Sequence, residues 1–95
     1  MFLISLTYKI PLTELDQYLE DHIAFLRKYY AAGKFIFSGP KDPRTGGLIL
    51  AYNCSRAEAE AIIAEDPFYI NQAADYELIV FNPSLYHEGF GHFIT

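Results

Sequence analysis

Among the side chains of this sequence able to move a proton, two invite pairing. His22 lies within Thr13–Gly33, where it sits among residues of helical spacing: Leu15, Tyr18 and Leu19 precede it, and Leu26 and Tyr29 follow. A titratable ring turned to the apolar side of a helix needs a hydrogen-bond partner. Asp66 is one partner the sequence offers. Asp before Pro67 also suits the start of a short helix, where a carboxylate caps free N–H groups, and its two oxygens can serve both roles. Beside His22 it would fix the ring's tautomer and favour the imidazolium, giving a pair able to pass a proton at neutral pH. A core histidine bonded to a backbone carbonyl explains His22 equally well. Both readings stand open here.

Ser38-Gly39-Pro40 is the next candidate. Gly-Pro is ordinary turn chemistry, but Gly39 would also let a ligand approach the backbone, with the Ser38 hydroxyl beside it. Arg44, in the turn that follows, can reach an anionic substrate or stand as a solvated loop cation. Cys54 lies close to a helix N-terminus, where a thiolate is stabilised, but no base is readable beside it and it is taken as structural. In the tail, His87-Glu88-Gly89-Phe90-Gly91-His92 places its histidines five apart with two glycines between. The helical zinc motif needs them four apart with Glu next to the first, so no metal site is assigned. The chain has no phosphate-binding glycine loop, no Gly-x-Ser-x-Gly elbow and no Cys/His cluster.

The elements that must position these residues follow from periodicity. Phe2–Lys9 alternates as a strand, with Phe2, Ile4, Leu6 and Tyr8 on one face. Thr13–Gly33 reads as one long amphipathic helix, capped by the Thr13 hydroxyl and stopped by Gly33. Lys34–Pro40 is a second strand, with Phe35 and Phe37 on one face and Ile36 and Ser38 on the other. The turn Lys41–Gly46 joins it to a third, Gly47–Asn53, as a hairpin. Ser55 and Glu58 form a capping box opening a helix over Arg56–Glu65. Asp66-Pro67 starts a short helix, Pro67–Gln72, and Asp75–Asn82 is a fourth strand ended by Pro83. The order β-α-β-β-α-β predicts an α+β, ferredoxin-like fold: a four-stranded antiparallel sheet with its helices on one face. Ser84–Thr95 is an aromatic tail, expected to pack on the domain or on a partner subunit.

Composition bounds the rest. Ninety-five residues make one small domain, yet 52% are hydrophobic and 17% aromatic. Neither face of the first or fourth strand is cleanly polar, so a second copy of the chain is expected to cover the sheet face that the helices leave open. A net charge of −5 without a Lys/Arg cluster argues against nucleic acid. No apolar run approaches the roughly 20 residues that span a bilayer. The N-terminus reads as a strand and not a signal peptide, and a single cysteine fits a reducing cytoplasm.

The histidine in Asp21-His22-Ile23, the strand ending Phe37-Ser38-Gly39-Pro40 and the segment Asp66-Pro67-Phe68 after the second helix occur in this order behind an N-terminal strand. Together they resemble the YciI-like (YCII-related) family over roughly the first 83 residues, leaving 84–95 outside. The resemblance implies a ferredoxin-like protomer pairing sheet to sheet as a dimeric α+β barrel. It also implies a cleft built around His22 and Asp66 as the catalytic pair, with Ser38, Gly39 and Pro40 beside the substrate. Related folds include muconolactone isomerases, and a few family members act on chlorinated aromatics without an added cofactor. The expected function is therefore cofactor-free proton transfer, of isomerase or lyase/dehalogenase type, on a small organic acid. The alternatives are a non-catalytic binding module using the same cleft, and a cofactor-free monooxygenase on the same barrel architecture, for which no residue here is distinctive. The loop between the second and third strands is short here, and substrate identity is not carried over.

Overall fold

The structure, a computed structural model, describes residues 1–94. Of the tail, Thr95 lies outside the described residues.

Four strands, β1 (Phe2–Tyr8), β2 (Phe35–Pro40), β3 (Gly46–Ala51) and β4 (Ala74–Val80), form one antiparallel sheet in the order β2-β3-β1-β4. This is the ferredoxin-like arrangement of an α+β fold. Two rows on its inner face matter for the site. Ser38, Ile49, Ile4 and Leu78 lie side by side, as do Pro40, Gly47, Leu6 and Tyr76. The core joins Ile4, Leu6, Ile49 and Phe35 of the sheet to Leu15, Phe25, Ile62 and Phe68 of the helices. Burying such side chains contributes roughly 1.5–3 kcal/mol each. At the start of β3, a Cβ on Gly46 would sit 1.8 Å from the Leu6 carbonyl oxygen, so the strands approach this closely only because position 46 has no side chain.

The first helical stretch differs from expectation at its start. It runs as α1 (Leu12–Leu15), a 3₁₀ turn (Asp16–Tyr18) and α2 (Leu19–Ala31). Thr13 does not cap it. Pro11, extended at φ −59° and ψ 148°, is the cap residue, and its carbonyl accepts the Glu14 and Leu15 N–H groups at 2.9 Å. Helical winding therefore begins two residues earlier than a hydroxyl cap at Thr13 would place it. The end is as expected: Gly33 has φ 72°, its N–H donates to the Tyr30 carbonyl, and the Lys34 N–H donates to Tyr29. Ser55 and Glu58 close their capping box at the head of α3 (Arg56–Ile63), and Asp66 caps α4 (Pro67–Ile70).

β2 departs from simple alternation. Phe35 pairs with Ala51, but Phe37 pairs with Leu50, so an extra residue bulges between them. Phe35 and Phe37 therefore lie on opposite faces, and Ser38 turns inward. On the outer face Phe37, Leu50, Leu3 and Ile79 form one row across all four strands, every member apolar. Beyond β4 the tail includes a 3₁₀ helix (Glu88–Phe93) that sets Phe93 edge-on to Tyr52, 5.1 Å between ring centroids. Among the described residues no helix is long and apolar enough to cross a membrane.

Candidate functional site

His22 and Asp66 meet where α2 passes the start of α4. His22 Nδ1 lies 2.7 Å from Asp66 Oδ1, and the carboxylate is fully buried, at 0% exposure. The same Oδ1 accepts the Phe68 N–H at 3.0 Å, so capping and histidine binding share one oxygen where two had been expected to divide the work. The other oxygen, Oδ2, is taken by the Tyr76 hydroxyl. Phe68 then supports the imidazole from one side: the rings stack 4.0 Å apart at 11°, while Tyr8 meets the edge of Phe68. With the carboxylate accepting, Nδ1 carries the ring proton and Nε2 is the nitrogen left unspent.

Tyr76 was not legible as part of this group. Its sequence signal is alternation with Leu78 and Val80 on β4, yet its hydroxyl closes the coordination of Asp66. Burial first, then the Asp66 charge and the hydrogen bond it donates, push the phenol well above its ordinary value of 10.0. A tyrosine in the unfolded chain ionises near that ordinary value, whereas the folded one keeps its proton. Stability from this group is thus present below pH 10 and is lost as pH rises beyond it, by up to about 1.4 kcal/mol per pH unit. Tyr76→Phe is expected to be less stable at neutral pH by about 1 kcal/mol. Its denaturant midpoint should then fall less steeply above pH 10 than that of the wild type, and parallel curves would argue against a held proton.

The His22 ring lines a cavity of about 350 Å³ between α2 and the sheet. Gly47, in the row between Pro40 and Leu6, leaves that part of the floor without a side chain. Ser38, Gly39 and Pro40 form one wall, Leu19, Ile23 and Leu26 of α2 the facing one, and Phe68 the back. Asp66 stands behind His22 and does not itself line the space. Ser38 reaches the cavity because of the bulge, and its hydroxyl is 2.6 Å from that of Tyr30. Nothing in the sequence around Tyr30 names Ser38 as its partner. Arg44 also borders the cavity. Cys54 does not, and burial pushes its thiol up, away from a reactive thiolate. No cluster of three or more His, Cys, Asp or Glu side chains suited to a metal occurs among the described residues.

The YCII-related domain profile matches residues 1–82, most of the chain. The chain belongs to the YCII-related family. Among solved structures, this family member is similar to the 5-chloro-2-hydroxyhydroquinone dehydrochlorinase TftG from Burkholderia phenoliruptrix AC1100, determined in complex with 2,5-dihydroxybenzoquinone. The TM-score is 0.69 at 19% identity, over 85% of this chain and 93% of the other, a likeness of fold. The comparison with curated proteins returns no match.

Proposed function

We propose that the cavity is the active site of a cofactor-free enzyme that moves a proton on a small organic acid, in isomerase or lyase chemistry. The observation that carries this reading is the bond from His22 Nδ1 to the buried Asp66, on a ring that borders an apolar cavity. Nε2 of the neutral ring is then the base. It takes a proton from a carbon or hydroxyl of the substrate, and the Asp66 carboxylate stabilises the imidazolium that forms. In an isomerisation the same proton returns to another carbon. In a dehydrochlorination the electron pair freed by deprotonation forms a new double bond, and chloride leaves with the C–Cl pair. HCl is lost, and no oxidant or reductant is needed. The lyase version draws support from TftG, a dehydrochlorinase seen with a dihydroxyquinone.

The working unit in this reading is a homodimer paired through the outer sheet face, where the row Phe37–Leu50–Leu3–Ile79 is apolar throughout and exposed at its Phe37 and Ile79 ends. In the same reading the aromatic tail packs on the domain or the partner, and a lone cysteine supports a reducing, cytoplasmic setting.

A second reading has its own observation. Asp66 caps α4 and is held by Tyr76, so the pair also holds the fold together, as it would in a non-catalytic binding module. Chloride release from 5-chloro-2-hydroxyhydroquinone and chlorinated hydroxyaromatic analogues, and isomerisation of unsaturated acids, separate the two. His22→Gln keeps most of the volume and a hydrogen-bonding group but shuttles no proton. The enzyme reading expects it to lower turnover by about 100-fold or more with little loss of melting temperature. If the wild type turns over nothing and binds 2,5-dihydroxybenzoquinone as well as the variant does, the binding module is the better account.

A further inference from the structure

Arg44 is the one permanently charged side chain that borders the cavity among the described residues, and no carboxylate lines it. Its placement is built. The Tyr8 N–H donates to the Thr45 carbonyl at 2.9 Å, tying the hairpin loop to the end of β1. Arg44 Nη2 donates to Asp16 Oδ1 at 2.8 Å, and its guanidinium carbon lies 6.0 Å from the centre of the Tyr8 ring. A guanidinium has five N–H donors, so the bond to Asp16 fixes the group while leaving donors for a second anion. Asp16 is itself half exposed and shares its charge with water, so it holds the arginine without cancelling its field.

We propose that Arg44 is the anion-anchoring residue of this cavity, and that its ligand is an oxyanion on a flat apolar body. The oxyanion meets Arg44 while the body lies among Leu26, Pro40 and Phe68, with its proton-bearing atom turned to His22. This assignment rests on the proposed site at His22 and names the class of substrate that site takes. A carboxylate and an ionised acidic enol share the required chemistry. A neutral analogue of the same shape fills the apolar space but leaves the arginine to water.

Two probe pairs test the inference by NMR titration, following the His22 and Tyr8 ring signals: benzoate with benzamide, and 2-hydroxy-1,4-naphthoquinone with its 2-methoxy ether. At least one anion is expected to bind about 10- to 100-fold more tightly than its neutral partner, the range of a charge-assisted hydrogen bond. The pair that shows the preference identifies carboxylate or enol as the recognised group. Arg44→Gln should abolish that preference and leave the neutral partner within about twofold, with Arg44→Lys restoring part of it. Absence of any anion preference in the wild type, including absence of binding, overturns the inference, as does a preference that survives Arg44→Gln or is lost equally in Arg44→Lys. Because the readout is binding, loss of turnover in His22→Gln bears on the base alone, and an anion preference retained in that variant keeps the two questions apart.

Discussion

Asp66→Ala is expected to cost about 3–5 kcal/mol, a large share of the roughly 5–15 kcal/mol that holds a domain folded. Three donors converge on this buried carboxylate: the His22 ring, the Phe68 amide and the Tyr76 hydroxyl. Alanine leaves all three without an acceptor in a site closed to water, and it removes the cap of α4 as well. Asp66→Asn should behave differently. Its oxygen still serves Phe68 and His22, and its amide turns to the Tyr76 oxygen, which accepts as readily as it donates. The loss in a urea titration should then be only about 1–2 kcal/mol. What asparagine lacks is the negative charge that stabilises an imidazolium, so turnover should fall about 100-fold or more in a protein that is still folded. Alanine thus strikes mainly at stability and asparagine at the chemistry. An Asp66→Asn protein with full turnover on an established substrate would falsify the catalytic half of this account and leave Asp66 as a helix cap.

The second large effect concerns association. Phe37 is 52% and Ile79 39% exposed, at opposite ends of the outer row, so lysine at both positions asks little of the single chain. In a two-fold sheet-to-sheet pair those two substitutions become four charges facing an apolar partner. Each unpaired buried charge costs 2–5 kcal/mol or more, roughly. The double variant should therefore weaken association by at least about 1,000-fold while its melting transition stays cooperative. Sedimentation equilibrium across a dilution series reads this directly. A wild type that sediments as a monomer at high concentration, or a double-lysine variant that still pairs, would mean that the row is covered some other way.

Much of the fold was legible because local chemistry and long-range packing agree over most of the chain's length. The alternation of Phe2, Ile4 and Leu6, the Ser55–Glu58 box and the left-handed Gly33 each have a cause within a few residues, and each stands in the structure as read. Asp66-Pro67 belongs here too, since its capping role is local. What stayed hidden depends on partners that periodicity does not name. Tyr76 finds its acceptor ten residues back on another element, and Tyr30 finds Ser38 across the helix–sheet boundary. Thr13 carried a good local signal that lost to the stiffer backbone of Pro11 just upstream. Of the candidate site residues, His22, Ser38, Gly39 and Pro40 come to one cavity with Asp66 behind them. Their roles toward a ligand are the substance of the proposals above.

The bulge in β2 gives that strand an unusual tolerance of length. Between Phe35 opposite Ala51 and Phe37 opposite Leu50, Ile36 is the residue with no partner of its own across the ladder. Deleting it would yield a regular strand in which Phe37 still faces outward and Ser38 still faces the cavity. Keeping it but losing the bulge would do the opposite, driving the Phe37 ring inward and carrying the Ser38 hydroxyl out to the far side. The hazard to this protein therefore lies less in a shorter β2 than in a full-length one that has slipped.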